Sequence, residues 1–122
     1  MGDPNDGFAQ YFVGQSYLAP VLDAPEIAIH NVTFEPGCRN HWHIHHGGAQ
    51  VLIAVGGRGY YQIDGQEPKG LKAGQAVCIP ADTKHWHGAA PGEAFSHLAF
   101  MVPAGDPSAR SNEWLEPVDA VA

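Results

Sequence analysis

GCRNHWHIHHGGAQVLIAVGG, residues 37–57, decides the fold. Four of the chain's eight histidines stand within six positions of it, at 41, 43, 45 and 46. The cluster is internal, interrupted by Trp42 and Ile44, and flanked by apolar segments, so it is not an expression tag. Residues two apart along a strand point to the same face. If extended, the segment puts His41, His43 and His45 on one face and Trp42, Ile44 and His46 on the other. Two imidazoles at i and i+2 on the inner face of a small barrel can chelate one metal ion. Further ligands must then come from elsewhere in the chain.

The remainder of the chain reads as all-β. Fifteen glycines and ten prolines punctuate it too often for long helices. Between them lie short runs rich in β-branched and aromatic residues, predicted as strands at 27–34, 50–55, 59–63, 76–79 and 94–102. Gly56-Gly57 is expected to end the second, and Asp64-Gly65 is a two-residue hairpin signal after the third. This spacing of turn signals suits a sandwich or barrel. The length of 122 residues predicts a single domain over 1–122. Residues 1–15, with Phe8, Tyr11 and Phe12, are expected to form an N-terminal arm or edge strand. Residues 106–122 are expected to form a mostly polar tail anchored by Trp114 and Leu115.

Composition excludes several classes of partner. Thirteen acidic and six basic side chains give a net charge of −7, and the basic ones form no stripe. Duplex nucleic acid is therefore not an expected partner. No apolar run approaches the roughly 20 residues of a membrane span. The polar, acidic start predicts no signal peptide, and the expected location is cytoplasmic. Cys38 and Cys78 read as reduced thiols, Cys78 as a small buried hydrophobe within Val77-Cys78-Ile79.

Three later segments offer further ligands. Gln50 opens the apolar run after Gly47-Gly48. His85 and His87 lie two apart in Lys84-His85-Trp86-His87-Gly88. His97 sits in the strand pattern Phe95-Ser96-His97-Leu98-Ala99-Phe100. Its ordinary pKa near 6.5 suits proton transfer, although a satisfied core histidine is the plainer reading. His87 reads either as a partner that orients the ligands or as a structural hydrogen bond. His30 shares a strand side with Val32 and Phe34, but Ile27-Ala28-Ile29 gives no clean inward face, so its direction stays open. Phe34, Leu52, Phe100 and Met101 are candidates for an apolar pocket wall, with core packing as the default for each. His41 and His46 read as rim or surface residues, and Trp42 and Trp86 point away from the ligand face.

These residues carry a resemblance to the cupins. The first cupin motif maps onto Gly37, His43, His45, Gln50 and Gly57, and the second onto Gly74, Pro80, Asp82, His85 and Ala89. Gln50 replaces the usual glutamate and Asp82 a turn glycine. With Val32-Thr33-Phe34-Glu35-Pro36-Gly37, Trp42-His43-Ile44-His45, residues 84–91 (KHWHGAAP) and Ser96-His97-Leu98-Ala99, the chain resembles the small bacterial cupins labelled carboxymuconolactone-decarboxylase-associated. That group includes manganese-dependent hydroxynitrile lyases. The decarboxylase activity belongs to an all-helical family and does not carry over.

The resemblance implies a cupin jelly-roll barrel and a homodimer or higher oligomer. It also implies one divalent transition metal held by His43, His45, Gln50 and His85. Three imidazoles and one amide oxygen suit Mn, Fe, Co, Ni or Zn, with Mn favoured by the resemblance. With an amide in place of a carboxylate, a divalent site keeps a net charge of +2, which favours anions and acidifies a bound hydroxyl. The implied catalytic residues are His97 and His30, with Val32, Phe34, Leu52, His87 and Met101 as the substrate pocket. The expected chemistry is hydroxynitrile-lyase-like cleavage or addition at the carbonyl of a small molecule. The alternatives are an Fe-dependent cupin dioxygenase and a metal or small-molecule binding barrel without turnover.

Overall fold

In the computed structural model, which describes residues 2–5, 11–24, 27–103 and 111–118, glycine and proline punctuate a chain built almost entirely of strands and turns. Twelve strands are formed among these residues: β1 (Asp3–Pro4), β2 (Phe12–Val13), β3 (Ser16–Asp23), β4 (Ala28–Phe34), β5 (Arg39–Asn40) and β6 (His43–His46), then β7 (Gly48–Ile63), β8 (Lys69–Lys72), β9 (Ala76–Ile79), β10 (His85–Ala89), β11 (Phe95–Pro103) and β12 (Ser111–Trp114). No described helix is long and apolar enough to cross a membrane. Residues 1 and 6–10 of the expected arm, Phe8 among them, and residues 106–110 and 119–122 of the expected tail lie outside the described residues.

Two antiparallel layers share one long strand. The first layer runs β1-β3-β4-β11-β7-β9, and the second joins β7 to β8 and β10, with β5 and β6 beyond β10. The chain changes layers inside β7 without breaking it. The predicted strands 50–55 and 59–63 are therefore one strand, and Gly56-Gly57 bends it rather than ending it. Gly57 takes φ 70°, and a Cβ there would overlap the Ala94 carbonyl oxygen, so only glycine lets the backbones approach at this corner. A register shift at Ser96/His97 marks the same corner on β11. The Asp64-Gly65 signal is a turn closed by Gln66 N–H to the Ile63 carbonyl (2.9 Å). The connection it opens runs to Lys69, longer than a two-residue hairpin.

The inner faces of the two layers meet in one core. Phe34, Leu52, Ala54 and Phe95 of the first layer pack with Cys38, Leu71 and Ala89 of the second. Full burial of a Leu or Phe side chain stabilises the fold by about 1.5–3 kcal/mol. Both cysteines are free thiols, but Cys78 is exposed, correcting its reading as buried. It sits on the outer side of β9, whose alternation turns Val77 and Ile79 inward. Cys38 is the buried one, and burial pushes its thiol up to about 12.

The C-terminal segment is a strand of the barrel. β12 pairs antiparallel with β6 in the register Asn112↔His45 and Trp114↔His43. Trp114 stacks on Tyr11 with centroids 4.4 Å apart. The N-terminal residues form β1 beside β3 and β2 beside β5.

Candidate metal and substrate site

Alternation brings the histidines together. β6 buries His43 and His45, and β10, covered on both faces, buries His85 and His87. His43 and His85 are partners in the ladder between these strands. Their ring centroids are 4.3 Å apart, and His45 lies 4.8 Å from His43 and 5.4 Å from His85. His43 Nδ1–H donates to the His41 carbonyl (2.8 Å) and His85 Nδ1–H to the Thr83 carbonyl (2.9 Å). A carbonyl only accepts, so both rings carry their proton on Nδ1 and leave the Nε2 lone pair free. His45 Nδ1–H donates to Asn112 Oδ1 (2.7 Å), leaving its Nε2 free in the same way.

Gln50 closes the cluster. Its Oε1 lies 3.1 Å from the Nε2 atoms of both His45 and His85. Lone pairs from three acceptor atoms thus converge with no proton between them. A cation satisfies such an arrangement, so the residues present fit a divalent metal. Another combination is also available: His43, His85 and His87, all buried, offer ligand atoms within 4.8 Å of one another. Asn40 holds His87 in place, its Oδ1 accepting from the His87 backbone N–H (2.9 Å) and its Nδ2 lying 3.0 Å from His87 Nε2.

A cavity of about 320 Å³ opens above the cluster. Its lining includes His30, Val32, His97, Leu18, Phe12 and Trp114, together with ligand candidates, and no described lining residue is charged. His97 is fully buried, and neither ring nitrogen has a hydrogen-bond partner among the described residues. The ring stacks on Phe95 (5.0 Å) and meets the edge of Phe34 (5.2 Å).

Residues 30–103 match the family model described as Cupin domain. This chain is a cupin. The (R)-mandelonitrile lyase of Granulicella tundricola is 37% identical to it over 115 residues, covering 92% of this cupin and 85% of that protein. The crystal structure of a cupin-like protein from Thermotoga maritima superposes with a TM-score of 0.84 at 34% identity, over 97% of this cupin and 87% of that chain. A predicted oxalate decarboxylase from the same organism shares the fold, with a TM-score of 0.69 at 18% identity over 75% of this cupin and 84% of that chain.

Burial keeps the cupin's inner imidazoles neutral. It pushes His97 down to about 3 and His85 to about 4. It also lowers His45 and holds His43 and His87 well below their ordinary range, with the neighbouring His85 adding to the effect on His43 and His97 to that on His87. Neutral imidazole is the form that coordinates a metal. His46 behaves oppositely. Its ring, at the exposed rim, hydrogen-bonds Glu113 (3.0 Å) and Asp82 (2.8 Å), and these bonds raise its pKa. Asp82 adopts φ 60° where the cupin motif has a turn glycine, and its N–H donates to the His45 carbonyl (2.8 Å).

Not every residue expected in the pocket lies along it. Val32, His30 and His87 line the cavity. Phe34 and Leu52 point inward but are wholly buried in the core, outside the lining. Met101, the ladder partner of Gln50, is half-buried and also outside the lining. Phe100 alternates to the outer face of the first layer. Trp86 is buried on the side of β10 away from the ligands, where its Nε1–H donates to Gln62 Oε1 (2.8 Å). The sequence reading omits Asn40 and Asn112, which orient His87 and His45 from other strands. Only the pairing of those strands brings them near.

Proposed function

We propose that this cupin is a metal-dependent lyase that splits a neutral hydroxynitrile into a carbonyl compound and cyanide. One observation carries the reading. A fully buried imidazole whose nitrogens are unpartnered among the described residues, His97, lines the same cavity as a proton-free ligand cluster. The 37% identity to an (R)-mandelonitrile lyase supports the choice of chemistry. His43, His45, Gln50 and His85 would hold the ion, manganese by preference, and when bound it supplies Lewis-acid polarisation of the substrate oxygen.

The chain's own residues do the rest. His97 is neutral at physiological pH and accepts the substrate hydroxyl proton at a ring nitrogen. The C–C bond to the nitrile then breaks, its electron pair leaves with cyanide and the carbonyl forms. The imidazolium is a strong acid in this buried setting and returns its proton to give hydrogen cyanide. His30, on the lining, is the second acceptor available. Phe12, Leu18, Val32 and Trp114 give the substituent an apolar wall. Among the described residues the lining holds no Lys or Arg to anchor a carboxylate, which favours an uncharged substrate over a dicarboxylate.

The test is cleavage of (R)- and (S)-mandelonitrile by Mn-loaded protein, following benzaldehyde and cyanide. Cleavage of one enantiomer, lost in His97→Ala with metal content intact, is the expected result. Oxygen uptake without cleavage would replace this reading with the Fe dioxygenase. Ligand retention without turnover would replace it with a binding barrel.

The outer face of the first layer supports a homodimer. β4, β9, β11 and residues 48–57 contain no Asp, Glu, Lys or Arg, although the chain carries a net charge of −7. Leu98 pairs with Ile53 and Phe100 with Val51 on that face, and Val55 and Val102 are 47% and 45% exposed. A second copy offers the same uncharged patch, where two anionic chains meet without charge repulsion.

A further inference from the structure

We infer that Asn112, delivered by the C-terminal strand, sets the tautomer of His45 and thereby makes it a donor to the divalent ion. The inference rests on the metal site of the proposed function, not on its lyase chemistry.

Three imidazoles converge on Gln50 or on each other, and each needs its proton on Nδ1. For His43 and His85, the backbone does this. Their acceptors are the carbonyls of His41 and Thr83, each two residues earlier in the chain. No side-chain substitution removes those acceptors. His45 differs. Its Nδ1–H acceptor is a side chain, Asn112 Oδ1 at 2.7 Å, from a strand 67 residues away in sequence. The ladder sets Asn112 directly opposite His45.

The other nitrogen of His45 faces Gln50 Oε1 at 3.1 Å. Without Asn112, the proton has a competing place. On Nε2 it would donate to that same oxygen and occupy the lone pair the ion requires. The acceptor at Nδ1 therefore decides between a ring that binds metal and a ring that binds Gln50. Asn112 is a positioning residue: it acts on the ion only through His45. Its strand is well anchored apart from this bond. Leu115 N–H donates to the Trp42 carbonyl (2.8 Å), Arg39 Nε–H to the Val118 carbonyl (2.8 Å), and Lys84 pairs with Glu116 (2.6 Å). Loss of the Asn112 amide thus leaves β12 in place.

The experiment is Mn(II) titration of chelator-stripped, untagged protein by electron paramagnetic resonance, without substrate. Wild type is compared with Asn112→Leu, Asn112→Ala, Asn112→Asp and His45→Ala, and apo melting checks that each variant folds. The acceptor-free Leu and Ala variants are expected to weaken Mn binding about 10- to 100-fold. Asp, which keeps an acceptor, is expected to bind at least as tightly as wild type. Wild-type affinity in both acceptor-free variants overturns the inference. So does an Asp variant as weak as Leu, or a His45→Ala variant that binds normally. A protein whose Mn binding depends on Asn112 yet splits no mandelonitrile overturns the lyase reading alone.

Discussion

His43 and His85 are ladder partners across β6 and β10, and each returns its Nδ1–H to the carbonyl two residues before it, at 2.8 and 2.9 Å. The two bonds are the same local device on two strands, and they leave both Nε2 atoms free to bind an ion. Alanine at either position is expected to lower divalent-metal affinity by at least about 100-fold, more than loss of an orienting partner costs. Metal content after dialysis against a known free-metal buffer measures this. His87→Ala separates the two ligand sets. With His45 and Gln50 as the remaining ligands, it changes affinity less than tenfold. A loss equal to that of His43→Ala would select the three-histidine set instead.

Gln50→Glu adds a charge at the point where His45 and His85 converge. A carboxylate binds a divalent ion more tightly than an amide and reduces the net charge of the loaded site from +2 to +1. The variant is expected to hold metal about tenfold or more tightly and to cleave mandelonitrile more slowly, since a less positive site acidifies the substrate hydroxyl less. Parallel metal titration and steady-state kinetics would show the two effects moving in opposite directions. An increase in both would mean that site charge does not limit the reaction.

Strand alternation made the inner histidines legible. His43/His45 and His85/His87 are two apart, and any extended chain must put each pair on one face. Depth was not legible in the same pattern. Phe34 and Leu52 alternate inward as His97 does, but the pairing of β4, β11 and β7 sets them in the core, outside the cavity lining. Strand ends were obscured by residues that usually break strands. Gly56-Gly57 bends β7 and does not stop it. Pro20 sits within β3 at a register shift, where a missing ladder hydrogen bond is tolerated. Asn112 lies in a short polar run with no apolar alternation to announce a strand, and its role follows only from pairing with β6.

The uncharged outer face gives a prediction about mass. Wild-type protein is expected to elute as a dimer in light-scattering chromatography. Phe100→Lys is expected to yield a monomer, because Phe100 and its cross-strand partner Val51 lie within that face and a buried unpaired ammonium is costly. Glu113→Lys, an exposed change on the rim strand, serves as the charge control and should remain dimeric. A monomeric wild type, or dimers in both variants, would remove the face from consideration.

His97 links the chemistry to acid stability. Burial lowers its folded pKa to about 3 from an ordinary 6.5, so below pH 6.5 the unfolded chain binds a proton that the folded one does not. The sign follows: stability is intact above about 6.5 and falls as pH drops toward about 3. His43, His45, His85 and His87 act in the same direction, and exposed His46, with its raised pKa, opposes them. His97→Phe keeps an aromatic ring against Phe34 and Phe95 while removing the titration. Urea unfolding of the apo proteins should show the variant gaining on wild type as the pH falls. The gain steepens as the pH falls and amounts to roughly 2 kcal/mol between pH 6.5 and 4.5. The same variant should bind metal normally and cleave no mandelonitrile. A stability difference that stays constant with pH would mean that His97 takes up its proton in the folded state, and would give it a basicity the buried site does not predict.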